Sequence, residues 1–200
     1  MKLLVLAAFA AFLLFPAKTF CQRDYFTPEE VEVIRDAQQL DQRINALTHC
    51  IDRRFAVLNV DVHAPARKEK NEEWGPAPTG SRLELLLDIK RIMQKAIDDI
   101  DNLSERPNSM VVKEPDPTSK DKNKKPKSFA DVFPVAVREL AAAANRYGPV
   151  LKVELDKTTL PEEKGAILDT LEMCDEIVAA LNKLPTTAPA TAADPKKTKN

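Results

Sequence analysis

The chain has few of the residues on which β-sheet proteins and metal or haem sites depend. Its 200 residues include only 4 glycines and 2 histidines, and aromatic residues make up 6% of it. Sheets need glycine-bearing turns and alternating β-branched or aromatic residues, and neither pattern occurs here. The Glu-x-x-His pairs of di-iron bundles and the Cys-x-x-Cys-His motif of covalent haem are also missing. These absences leave an all-α fold without a cofactor as the expectation.

The N-terminus has the pattern of a cleavable signal peptide over residues 1–21. A single positive charge at Lys2 is followed by 13 apolar residues, Leu3 to Phe15, and then by a short polar exit that ends at Cys21. This order of charge, apolar run and exit is typical of export signals. The run is shorter than the roughly 20 residues that a transmembrane helix needs. The pattern predicts a periplasmic or secreted protein that keeps no transmembrane segment after cleavage.

Cleavage after Cys21 would change both the charge and the cysteine inventory of the chain. It removes Lys2 and Lys18 and so takes the formal net charge from −1 to −3. A nearly neutral domain has no global field to recruit nucleic acid. A lipid anchor at Cys21 is disfavoured because Phe20 and Lys18 stand where a lipoprotein signal has a small residue and a leucine.

Four segments of the chain have helical periodicity. The first, about 27–58, begins with a capping box from Thr27 to Glu30 and continues as one apolar stripe about 30 residues long. The second, about 81–104, begins with another capping box, from Ser81 to Glu84. The third covers about 128–155, and Gly148-Pro149 predicts a break in it. The fourth covers about 160–184.

Each predicted helix has one apolar face, so none of them is stable alone. Burying the four faces together favours an antiparallel four-helix bundle with up-down-up-down topology. A less regular pair of helical hairpins is the alternative. The bundle domain would span residues 22–184, followed by a disordered tail at 185–200 that is rich in Thr, Ala, Pro and Lys.

Two long linkers are predicted to be mobile, at residues 59–80 and 105–127. The second contains a basic patch, with a net charge of about +3 over residues 111–127, and its candidate interaction residues are Lys120, Lys122, Lys124, Lys125 and Lys127. Such a patch could contact an anionic envelope polymer or lipid headgroups, although most basic linkers serve only to keep the chain solvated.

Trp74 is the only tryptophan and lies in the first linker. An exposed Trp74 would be an interface anchor. Packed back on the helices, it would instead cover the core, which is the alternative that we favour from the sequence.

Cys50 and Cys174 are the two cysteines left after cleavage, an even number in an oxidising compartment. This count suggests a disulfide between the first and fourth helices, and two independent, partly buried thiols are the equal alternative. Neighbouring His49 points about 100° away from Cys50 on a helix, so the two do not converge on one atom. The helical wheel places His49 on the solvent side. Met93 and Met173 are interpreted as core residues in preference to haem ligands.

The sequence alone predicts no catalytic, cofactor or metal site, and it resembles no family that we recognise. The leading hypothesis is a non-enzymatic helical-bundle protein of the cell envelope that binds another macromolecule, either a protein or an anionic polymer. The second is a periplasmic chaperone-like or stress-type protein with an exposed apolar groove. The third is an enzyme with a dispersed site, which the two histidines and the absence of a nucleophile elbow make the weakest.

Overall fold

The structure is a computed structural model that describes residues 24–66, 71–106 and 128–184. This part of the chain forms helices and no strand, which confirms the all-α prediction. The helices are α1 (Pro28–Asp36), α2 (Leu40–Val57), α3 (Asn71–Trp74), α4 (Arg82–Glu105), α5 (Phe129–Lys157) and α6 (Pro161–Leu181). The predicted signal peptide, most of the lysine-rich linker and the predicted tail lie outside the described residues.

Both predicted capping boxes are confirmed. The Thr27 hydroxyl accepts a hydrogen bond from the backbone N–H of Glu30, and the Glu30 carboxylate accepts one from the backbone N–H of Thr27. Ser81 and Glu84 make the same reciprocal pair at the start of α4. These local bonds satisfy backbone donors that have no partner inside the helix, so the sequence specifies where α1 and α4 begin.

The predicted first helix is not continuous, and that prediction was wrong. The chain leaves the helix at Ala37 and starts again at Leu40. Glu30 and Arg54, 24 residues apart, make a direct ion pair, whereas a continuous helix would separate them by ~36 Å. The break therefore lets α1 fold back along α2, and Arg43 Nε supports the turn by donating to the Ala37 carbonyl at 3.1 Å.

The predicted break near residue 148 is also absent, because α5 runs unbroken through Gly148 and Pro149. A residue before proline is normally excluded from the helical region by its Cβ atom, and Gly148 has none. Tyr147 and Leu151, on either side of the Gly-Pro pair, are completely buried. Burial of these two side chains holds the helix together where its own hydrogen bonding is interrupted.

The long helices pack around one core, which contains buried residues from α1, α2, α4, α5 and α6. The closest packing is between α5 and α6, and α2–α4, α2–α5 and α4–α6 are the other extensive contacts. By contrast, α4 and α5 touch only slightly, and α2 and α6 make almost no contact. Consecutive helices α4 and α5 are therefore diagonal neighbours, not adjacent ones.

Side-chain pairs between helices give the helix directions. Asn45 of α2 pairs with Glu139 of α5. Asp52 and Arg146, each seven residues further along its helix, also pair, so α2 and α5 are parallel. On α4 and α6, Arg82 pairs with Glu163 and, further along both helices, Lys90 pairs with Asp169, so these two helices are also parallel. We call the end where α4 and α6 finish and α5 begins the apolar end, and the opposite end the charged end.

Candidate functional site

A buried ion pair joins α1 to α2 in the half of the molecule nearer the charged end. Arg54 Nη1 and Nη2 donate to the two carboxylate oxygens of Glu30 at 2.7 Å each, and both side chains are at most 1% exposed. Arg54 also donates to the Tyr25 and Cys50 carbonyls, and its Nε lies 3.9 Å from Asp88 Oδ2. Burial acts to raise the pKa of Glu30, but the hydrogen bonds and charge of Arg54 outweigh it and hold the pKa below its usual value.

Arg53 extends this network to the segment that contains Trp74. Its guanidinium donates to Glu30 at 2.7 Å and to the Gly75 carbonyl at 3.1 Å, and it lies 5.9 Å from the centre of the Trp74 ring. Trp74 is half-buried, and its ring meets His49 edge-on with centroids 4.3 Å apart. Trp74 therefore packs back against α2, the arrangement favoured from the sequence.

A second buried cluster joins α2 to α5. The Tyr147 hydroxyl donates to Asp52 at 2.7 Å, and Arg146 donates to the same carboxylate at 3.2 Å and to the Val62 carbonyl. Burial, followed by the charge of Asp52, raises the pKa of Tyr147 well above its ordinary value. The tyrosine therefore stays protonated and acts as a hydrogen-bond donor across the interface.

A third cluster lies at the charged end, where Arg82 of α4 reaches both neighbouring helices. It contacts Glu154 of α5 at 2.7 Å and Glu163 of α6 at 3.1 Å. Lys157 also contacts Glu154, and Thr158 donates to Glu163. Burial acts to raise the pKa of Glu154, but Lys157 and Arg82 outweigh it and lower the pKa. All three clusters use their charges to hold helices together.

The apolar end differs, because it opens into a groove of about 380 Å³. The groove lies between the last turns of α4 and α6 and the first turns of α5. Its floor consists of apolar side chains from all three helices: Ile97, Ile100, Phe133, Val137, Leu140 and Ile177. Ile97, Ile100 and Phe133 are only half-buried. A concave apolar surface of this size is the usual form of a ligand or peptide site.

The edge of the groove is formed by Asp101, Glu176, Ala180, Lys183 and Leu184. Both carboxylates and the lysine are exposed, so they can interact with an occupant without first being taken out of water. The arrangement is an apolar floor with charged edges, which can bind apolar side chains and select among them by charge.

Cys50 and Cys174 are not joined by a disulfide in the structure. Of the two alternatives that the sequence left open, the structure therefore shows two separate thiols. Cys50 is in α2 and Cys174 in α6, two long helices that make almost no contact with each other. Both side chains are buried. Burial raises the pKa of the Cys50 thiol, and burial together with the charge of Asp175 raises that of Cys174 to about 12.

His49 is not on the surface, and that prediction was wrong, because it is only 5% exposed. The helical wheel shows one apolar stripe on α2, whereas α1 and Trp74, the last residue of α3, cover a second face of the same helix. A wheel cannot show elements that fold back from elsewhere in the chain. Met93 and Met173 are buried in the core, where the sequence placed them.

The lysines at 120, 122, 124, 125 and 127 lie outside the described residues.

The groove was not predicted from the sequence, because its floor residues belong to the same apolar stripes as the core. The only available signal was their position in the last or first turns of helices. Within residues 24–66, 71–106 and 128–184, no group of three or more His, Cys, Asp or Glu side chains could hold a metal ion.

The remaining observations concern membrane spans and similarity to known proteins. None of the described helices has both the length and the apolar character needed to cross a membrane. The chain matches no protein-family model, and neither the curated proteins nor the solved structures include a match to it.

Proposed function

We propose that this chain is an exported, non-enzymatic protein of the cell envelope that binds another macromolecule through the groove at its apolar end. The observation that carries the proposal is the groove itself, in which half-buried Ile97, Ile100 and Phe133 form a concave apolar surface about 380 Å³ in volume. Export is supported by the charge, apolar run and exit of residues 1–21.

The proposal includes a four-helix bundle made by α2, α4, α5 and α6. Its support is the single core shared by these helices together with their directions: α2 is parallel to α5, α4 is parallel to α6, and Arg82 brings the starts of α4 and α6 to the end of α5. In this bundle α4 ends and α5 begins at the apolar end, and these two helices are diagonally opposite. Because α4 and α5 touch only slightly, the residues that the structure describes leave a space between these helices at that end, and this space is the groove.

A binding role fits the chemistry better than catalysis does. The buried charges of Glu30, Arg54, Asp52 and Glu154 are engaged in ion pairs that join helices. In the groove the ionisable groups are Asp101, Glu176 and Lys183, and all are exposed at the edge. A general acid or base needs a tuned environment beside the reacting atoms, which this edge does not provide.

The test is a pull-down from envelope extract with a variant that fills the groove. Ala180 is exposed at the groove edge, so Ala180→Trp places an indole over the apolar floor without disturbing the core. Ala179→Trp is the matched control, because it adds the same ring to an exposed position beside the groove lining. We expect Ala180→Trp to lose a partner that wild-type and Ala179→Trp both retain. Equal capture by all three would contradict the proposal.

A chaperone-like role is the second candidate, and the exposed apolar floor is the observation that favours it. A holdase would suppress aggregation of several unrelated unfolded proteins, and Ala180→Trp would weaken that activity. A defined partner in the groove would leave such aggregation unchanged. Aggregation of a thermally unfolded model enzyme, followed by light scattering, separates the two roles.

A further inference from the structure

We infer that the segment bound in the groove is a cationic amphipathic helix of a partner protein. This inference rests on the proposed function and adds the chemistry of the partner. It is carried by the combination of an apolar floor with carboxylates on both of its sides, Asp101 on α4 and Glu176 on α6.

The shape of the floor suits a helix. On α6 the lining residues extend from Glu176 to Leu184, and on α4 from Ile97 to Asp101. Eight residues at a helical rise span ~12 Å, of which the last three form the turn that follows the end of α6 at Leu181. This length is about two turns of an occupying helix. A helix of that length presents apolar side chains at i, i+3, i+4 and i+7 on one face, the usual pattern of helix-in-groove recognition.

The charges beside the floor specify the polar face of the occupant. On α4 the exposed carboxylates Asp98, Asp101 and Glu105 follow one another at spacings of three and four residues, and on α6 Glu172 and Glu176 are four apart. Such spacings place each set on one side of its helix. Neither stretch 96–105 nor stretch 172–182 contains a lysine or arginine. Lys183 is the basic residue in the groove lining.

An occupant with lysine or arginine beside its apolar face would therefore meet carboxylates along both edges, with Lys183 the opposing charge just beyond the end of α6. An acidic helix of the same shape would meet like charge, which is unfavourable and reduces binding. Because the carboxylates are exposed, the attraction should weaken as salt is added.

The probe is a labelled 18-residue peptide with leucine at i, i+3, i+4 and i+7 and lysine at the remaining positions. A second peptide replaces every lysine with glutamate and keeps the leucines. Fluorescence anisotropy with the full chain measures both Kd values. We expect the lysine peptide to bind at least tenfold more tightly than the glutamate peptide, and the difference to shrink with salt.

Variants locate the binding. Ala180→Trp should abolish it and Ala179→Trp should not. Asp101→Lys and Glu176→Lys should each weaken binding of the lysine peptide several-fold, while Asp156→Lys, an exposed reversal at the charged end, should leave it unchanged.

The outcomes separate the two proposals. If both peptides bind equally and Ala180→Trp abolishes both, the inference about charge is overturned while the groove remains a binding site. If neither peptide binds, or if Ala180→Trp does not change peptide binding, the inference is overturned. The proposed function is overturned by a different result, equal capture of the same proteins by wild-type, Ala180→Trp and Ala179→Trp in the pull-down. If the lysine peptide binds only after lysines 120, 122, 124, 125 and 127 are changed to serine, the chain's own basic segment competes for the groove and the partner inference is overturned.

Discussion

Glu30 in α1 and Arg54 in α2 form a bidentate ion pair. Both of its hydrogen bonds are 2.7 Å long, and both side chains are excluded from solvent. Planar pairing of a guanidinium with a carboxylate gives the strongest geometry available to such a pair. It lies beneath the fold-back of α1 and, together with the apolar packing of Ile34, ties the N-terminal segment to the core.

Removing Arg54 should destabilise the protein strongly. Arg54→Ala leaves Glu30 buried without its principal partner, and we expect the free energy of unfolding to fall by about 3–5 kcal/mol. Urea denaturation followed by circular dichroism measures the change. Arg35→Ala, which breaks an exposed pair with Glu32, is the control and should change the free energy by no more than ~0.5 kcal/mol. If the two substitutions lowered the free energy of unfolding by similar amounts, the buried pair would contribute no more to stability than the exposed pair, which would contradict the prediction.

Stability should decrease in acid because of Glu30. Its pKa in the folded protein is below the ordinary value of 4.5, so the unfolded chain binds a proton more readily. The contribution is fully present above pH 4.5 and is lost as the pH falls through the lower, folded-state pKa. Glu154 acts in the same direction. Urea titrations between pH 6 and pH 3 should show a shallower decline in Glu30→Gln than in wild-type. An identical decline would mean that other carboxylates govern acid unfolding.

Cys50 and Cys174 should be unreactive in the folded protein. Both thiols are buried, and their raised pKa values keep them protonated, whereas thiol reagents attack the thiolate. In a Cys21→Ser chain at pH 8, a chromogenic disulfide reagent should release almost no signal until denaturant is added, and then two equivalents. Absence of signal in denaturant would instead demonstrate a disulfide, and immediate signal in the native protein would show accessible thiols.

Two glycines should respond to alanine in opposite directions. Gly165 is inside α6, and a Cβ atom there would meet nothing within 4 Å, so Gly165→Ala should stabilise the protein by about 0.5–1 kcal/mol. Gly75 has φ of +61°, and a Cβ atom there would lie 2.6 Å from Glu29. Gly75→Ala should therefore destabilise it by about 1–2 kcal/mol. Thermal unfolding of both variants against wild-type provides the comparison, and equal shifts would contradict the left-handed turn at Gly75.

Local sequence was sufficient where a feature depends on neighbouring residues. The Thr27–Glu30 and Ser81–Glu84 caps need only residues three apart, and the core positions of Met93 and Met173 follow from the helical period. The missed features depend on distant residues. The fold-back at Ala37 is stabilised by the ion pair between Glu30 and Arg54, which are 24 residues apart. His49 is buried by Trp74, which is 25 residues further along the chain.

The sequence by itself determined that this is a helical protein and where two of its helices begin, because periodicity and capping act over single turns. It also contains the export-like pattern of residues 1–21, which lies outside the described residues. Only the tertiary structure decided that α5 passes through Gly148-Pro149, that Cys50 and Cys174 are separate thiols, and that an apolar groove opens between α4, α5 and α6. Each of these depends on which helices become neighbours, and that choice is made by packing across the whole chain.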